Sequence, residues 1–194
     1  MHSTLDLTAL PSGAGELVLP LDQVKAHLRV LDSDSDDLIA ALRDAALMQV
    51  EEYTGLRLTA RAGLKWRGEV FPASAHQVLR LFARPVTAVT AISYRDSSNA
   101  AQTFDVAKVR IADGDALVPV PGESWPTDCA GAIEITFTAG LATLAEIPTP
   151  LKSAMQMLIG TLFLYRESVV TQGVSMELPH GFTSLCGPYR RARV

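Results

Sequence analysis

The sequence is poor in the residues that usually carry chemistry. Of its 194 residues, 2 are cysteine and 4 are histidine. Cys129 and Cys186 permit one disulfide at most, so a disulfide framework is excluded and packed, reduced thiols are expected. His2, His27, His76 and His180 are scattered, with no His-x-x-x-His and no His/Cys pair at ligand spacing, so no metal site is expected. Positive charge is scarce as well. Lys and Arg total 17 against 21 Asp and Glu, for a net charge of −4. No general basic field exists to grip nucleic acid, which argues against sequence-reading of DNA. The longest uncharged apolar stretch, residues 153–165, falls short of the roughly 20 residues a bilayer crossing needs. The opening Met1-His-Ser-Thr-Leu-Asp6 lacks a basic n-region followed by an apolar h-region, so neither a signal peptide nor a membrane partner is expected.

Catalytic motifs are missing too. There is no Gly-x-Ser-x-Gly, no phosphate-binding Gly-x-x-x-x-Gly-Lys-Ser/Thr and no Gly-x-Gly-x-x-Gly. Gly13-Ala-Gly15 lacks the third glycine and a preceding strand, so it reads as a linker. Asp32-x-Asp34-x-Asp36 opens like a calcium loop. The match then fails, with Asp37 in place of the required glycine and Arg43 in place of the bidentate glutamate. Glu51 and Glu52 are adjacent on a helical pattern, point in different directions and read as solvated surface. No catalytic residue, metal ligand or cofactor is expected.

What is present is a folded composition, 48% apolar and 20% charged, arranged in two periodicities. Residues 1–19 read as a flexible arm hinged at Pro11-Ser-Gly-Ala-Gly15. Leu21, Val24 and Leu28 share one face of a short helix. Acids at 32, 34, 36 and 37 crowd the entry to a second helix, where carboxylates favour the positive end of the dipole. On that helix Leu38, Leu42, Ala45, Gln49 and Tyr53 recur at helical spacing, with Ile39, Ala46 and Val50 widening the stripe, and Gly55 is placed to stop it. From residue 58 the period changes to two. Leu58, Ala60, Ala62, Leu64 and Trp66 alternate with polar residues, and strands are predicted over 58–66, 77–82, 86–94, 104–111, 116–120 and 133–138. On the third of these, Val86, Ala88, Ile92 and Tyr94 share a face. Helix signals return at Ile147-Pro-Thr-Pro150, with Thr149 as cap and Pro150 at the first helical position.

The fold class is therefore α+β. A small helical core, residues 20–56 and 147–167, carries an inserted antiparallel β module, residues 57–146, and a C-terminal tail, residues 168–194. Leu151, Met155, Leu158, Ile159, Leu162 and Phe163 make the late helix apolar round much of its circumference. A small helical core has little to cover it, so burial against a second copy is expected, with these six as the subunit interface. In the tail, Leu178, Phe182, Leu185 and Tyr189 precede Arg190, Arg191 and Arg193. Pro179, Gly181 and Pro188 would interrupt a regular helix, and an extended strap that docks these residues on an acidic, apolar groove is expected.

Several segments in order resemble the phage head–tail connector (adaptor) family, in the long branch found in prophages and gene-transfer agents. They are Val24-Lys-Ala-His-Leu-Arg-Val30, the acidic turn before Leu38-Ile-Ala-Ala-Leu42, Glu51-Glu-Tyr-Thr-Gly55, Leu81-Phe-Ala-Arg-Pro-Val86, Val89-Thr-Ala-Ile-Ser-Tyr-Arg95 and Trp125-Pro126. Thr136-Phe-Thr-Ala-Gly140, Ile147-Pro-Thr-Pro-Leu151, Glu177-Leu-Pro-His-Gly-Phe182 and Pro188-Tyr-Arg190 complete the series. The resemblance implies a structural protein of a virion or virion-like neck, present in host cytoplasm before assembly. It implies a homo-oligomeric ring, commonly of about twelve subunits, closed by head-to-tail contacts. The ring would bind a portal protein through the tail and a stopper or tail-completion protein beyond, while double-stranded DNA passes through the lumen without sequence-specific binding. Two other readings compete with it: a small enzyme whose site the fold assembles around Cys129 or Cys186, and a monomeric binding module.

Overall fold

The computed structural model describes residues 3–6, 10–74, 77–165 and 180–190. The chain forms two compact units, Met1–Ala9 with Ala60–Leu141 and Leu10–Thr59 with Ala142–Val194.

Among the described residues, the first unit contains the strands β1 (Ser3–Asp6), β2 (Arg61–Gly68), β3 (Leu79–Arg80), β4 (Val86–Arg95), β5 (Ala101–Phe104), β6 (Val109–Ala112), β7 (Ala116–Pro119) and β8 (Gly131–Ala139). They form a five-stranded sheet in the order β1-β2-β8-β4-β5 and a three-stranded sheet in the order β3-β7-β6. Every pairing is antiparallel. Strict alternation survives in β8, where Ile133, Ile135, Phe137 and Ala139 are buried. It breaks in β2 and β4, where the pairing register shifts. An extra residue in one strand flips every later side chain to the other face. In β2 the shift falls around Gly63, at φ 75°, so Ala62 is exposed and Arg61 is buried. In β4 the inward residues become Val86, Val89 and Ile92, three apart, and Ala88 faces solvent. Phe71 stacks on Trp125 at 5.3 Å and closes the core between these strands.

Part of the expected N-terminal arm is a strand. Ser3 to Asp6 pair with Gly68 to Lys65, Leu5 packs on the core, and the Asp6 carboxylate lies 3.5 Å from Arg67. The edge of β2 offers unpaired backbone groups that an alternating segment can satisfy.

The second unit is helical: α1 (Ala14–Val18), α2 (Leu21–Leu28), α3 (Asp36–Thr54), α4 (Thr149–Leu164) and α5 (His180–Cys186). The expected hinge at residues 11–15 is instead the start of α1. Gly13 takes φ 77° at its cap, and Gly15 is buried so close to α3 that a Cβ there would lie 1.9 Å from Asp44 Oδ1. α3 opens with Asp36 and Asp37 and stops at Gly55, whose N–H donates to the Glu51 carbonyl at 2.8 Å with φ 73°. Its buried face is Ile39, Arg43, Ala46, Leu47, Val50, Glu51 and Thr54, turned about a third of a circle from the stripe that begins at Leu38. α4 starts at Thr149, one residue before the position its Thr-Pro signal implies. It packs on α3 and on α5. Among the described residues no helix is long and apolar enough to cross a membrane.

Candidate interface surfaces

The two surfaces expected to meet partners divide sharply on packing. On α4, Leu151, Met155 and Ile159 are 0% exposed and Leu158 is 7% exposed. α3 and α5 cover them, so the expectation that the whole stripe needs a second copy is corrected: two helices from distant parts of the chain fold over most of it. Leu162 and Phe163 are half-buried. On α4 and at its C-terminal cap, the large apolar groups that stay in solvent are Leu164, Tyr165 and Met157.

The tail is corrected likewise. Residues 180–186 are α-helical and 187–189 form a 3₁₀ turn. The helix breakers flank the helix or sit in its first turn: Pro179 precedes it, Gly181 lies at its start and Pro188 follows it. Phe182 is fully buried and meets the Tyr53 ring edge-on at 5.5 Å. Burying such a ring contributes about 1.5–3 kcal/mol. Gly181 lets the backbone pass Met157, whose Cε would lie 2.2 Å from an added Cβ. Arg190 places its guanidinium 5.1 Å from the other partner of Phe182, the Tyr53 ring. Leu185 and Tyr189 are half-buried. Phe182 is thus a core anchor, not a docking group. Leu178, Arg191 and Arg193 lie outside the described residues.

Several titratable groups among the described residues serve turns and sheet pairs. Burial pushes the Cys186 thiol up to about 11, so it is protonated at neutral pH and a poor nucleophile. Cys129 is half-buried, its Sγ 3.9 Å from the Gly131 carbonyl. Among the described residues no group of three or more His, Cys, Asp or Glu is placed to hold a metal. Asp96 is held in its ionised form, at about 2. The Ser98 hydroxyl, the Gln102 amide and the Ala100 N–H all donate to it and fix the turn between β4 and β5. Asp115 moves the other way, raised by burial although Arg80 stands 3.0 Å away. On the wet face of the larger sheet Glu134 joins Lys65 at 2.7 Å and Arg67 at 3.0 Å, and these two hydrogen bonds hold its carboxyl below the ordinary range. These are turn locks and cross-strand pairs.

Sequence reasoning missed the solvent side of α3. Leu38, Ala41, Ala45 and Met48 are exposed there, opposite the buried face. A second apolar stripe on one helix was the available signal, because a helix with one packing partner needs only one.

Residues 19–110 match the model of a family described as phage gp6-like head-tail connector protein. Among solved structures, the chain is similar to one from the neck of an empty GTA particle computed with C6 symmetry. That pair is 24% identical over 98% of this chain and 97% of the other, with a TM-score of 0.73. A chain from the virion of a native gene transfer agent (GTA) particle is 24% identical over 98% and 96%, with a TM-score of 0.70. One from the neck of a native GTA particle computed with C12 symmetry is 23% identical over 98% and 97%, with a TM-score of 0.67. No curated protein sequence matches the chain. Residues 19–110 are thus similar to the phage gp6-like head-tail connector proteins, and over nearly its whole length the chain has the fold of chains from gene-transfer-agent particles.

Proposed function

We propose that this protein is a structural neck subunit that forms a ring beneath a portal, joins it to a stopper or tail-completion protein, and lets double-stranded DNA pass. The observation that carries the reading is the full-length fold shared with neck chains computed with C6 and C12 symmetry, together with the connector match over residues 19–110. A twelve-fold ring in the particle neck follows from it by analogy. Leu162 and Phe163, half-covered in the single subunit, are the part of the predicted α4 interface still open to a neighbour. Portal docking falls to the chain end after the Tyr53–Phe182–Arg190 anchor, where Arg191 and Arg193 supply charge for an acidic groove.

The test must spare the anchor. Removing residues from 177 onward would take away buried Phe182 and Cys186 and unfold the helical unit. Truncation after Arg190 should leave the thermal midpoint unchanged and abolish co-purification with the portal. Undiminished portal binding would refute the tail assignment. Electron microscopy of the full chain mixed with its portal should show a closed ring; single subunits bound without lateral neighbours would refute the ring.

A further inference from the structure

We propose that the solvent side of α3 is one half of a contact between copies of this chain, and that the exposed end of α4 on the next copy is the other half. The inference rests on the ring reading above and assigns the surfaces that close it.

The buried residues of α3 occupy one side of the helix. On the opposite side lie Leu38, Ala41, Ala45, Met48 and Glu52, at steps of three, four, three and four. That is the spacing of a seam along which a second helix packs. Leu38 is 38% and Met48 57% exposed. Four of the five positions are apolar, whereas a helix finished by its own subunit turns charged and polar residues to water. Ala41 and Ala45 make a shallow middle between two larger side chains, and small residues there let a neighbouring helix approach to about 8–10 Å between axes.

The protruding counterpart is at the other helix. Leu164 is 76% and Tyr165 67% exposed, side chains large enough to fill the depression over the alanines. Charge argues for this pairing over self-pairing. Asp37 and Glu52 border the α3 seam, both exposed, so two seams packed on each other in antiparallel or parallel register would bring carboxylates together. α4 carries no acid, and its one charged residue is Lys152. Two different faces of the same subunit, one acid-bordered with small residues at its middle and one of large apolar groups at the end of a helix without acids, make a heterologous contact, the type that closes into rings.

The contact is tested in assembled particles with the full chain carrying Ala45→Cys and Leu164→Cys. The native Cys186 is buried and Cys129 half-buried, so the unmodified chain serves as the background control. Mild oxidation should give a ladder of disulfide-linked multimers from the double variant and none from either single variant. Particles that contain the double variant but yield no ladder overturn the contact, as do dimers from Ala45→Cys alone, which would place the seam against itself. Ala41→Glu supplies a second reading. It should fold with an unchanged thermal midpoint and enter particles about tenfold less well, the effect of roughly 1.4 kcal/mol. Full incorporation of folded Ala41→Glu overturns the proposal. A wild-type chain absent from the particle neck would instead refute the ring reading itself.

Discussion

Burial, not proximity, ranks the ion pairs of this protein. The Lys25–Asp36 pair is only 2.6 Å long, but its side chains are 19% and 32% exposed, and pairs so open to water contribute about 0–1 kcal/mol. Glu51 and Arg57 are 3.8 Å apart with both side chains 3% exposed, and Glu51 Oε1 also accepts the Leu58 N–H at 2.8 Å. In the sequence Glu51 looks like half of a solvated Glu-Glu pair. Its partner comes from beyond Gly55, where the left-handed turn reverses the chain and brings residues 57 and 58 back against the end of α3. Glu51→Ala would take a buried carboxylate away from the Arg57 guanidinium and remove the acceptor of the Leu58 N–H. The expected loss is about 3–5 kcal/mol in urea denaturation. Glu51→Gln, which retains an acceptor for Leu58, should lose less. A loss below about 1 kcal/mol for the alanine variant would put the pair in the same class as Lys25–Asp36.

At the scale of elements, α4 is held by packing against its neighbours and weakened by one glycine in its interior. Gly160 takes an ordinary helical conformation, and a Cβ there would meet His27 Nε2 at 3.8 Å and Leu28 Cδ2 at 3.9 Å, normal contact distances. Gly160→Ala should therefore stabilise the protein by about 0.5–1 kcal/mol, seen as a raised thermal midpoint. At Gly181 an added Cβ meets only the tip of Met157, a flexible side chain 39% exposed that can swing aside, so Gly181→Ala should move the midpoint less. A lowered midpoint for Gly160→Ala would mean that the added methyl does not fit beside His27 and Leu28 as these distances imply. The long elements were legible because their periodicity is strong: α3, α4, β4 and β8 all stand where period 3.6 or period 2 placed them. Faces were less legible than existence. α3 has apolar residues on both sides, so Leu38 could be read as core when Ile39 is. β4 has bulges, which single-strand alternation cannot register. α5 was hidden because Pro179, Gly181 and Pro188 carry breaker signals whose effect depends on position, and the anchor that rewards helix formation, Tyr53, lies far away in sequence.

At the scale of the whole molecule, the likeness to connectors lies in the order of segments more than in any residue; surfaces are harder to read from sequence, since the six side chains predicted as a subunit interface divide into four buried in the subunit and two half-covered. Charge is the property that acts at this scale. The net charge is −4, and among the described residues several cations stand in ion pairs. Lys65 and Arg67 meet Glu134, Arg43 meets Glu16, Arg80 meets Asp115, and Lys108 stands 3.1 Å from Glu123. Binding to duplex DNA comes chiefly from releasing counterions as free Lys and Arg neutralise phosphates, and cations already paired within the protein release few. In the proposed ring, a channel wall poor in free cations would let DNA slide where a basic wall would hold it. The purified chain should therefore give no retardation of linear duplex DNA at about 0.15 M salt at protein concentrations in the range where ordinary non-specific binders act, roughly 10⁻⁶ to 10⁻⁴ M. Lowering the salt should change this little, because few phosphates are neutralised and the slope of log affinity against log salt stays near zero. Micromolar binding with a steep salt slope would reveal a concentrated basic surface and overturn the picture of a passive channel.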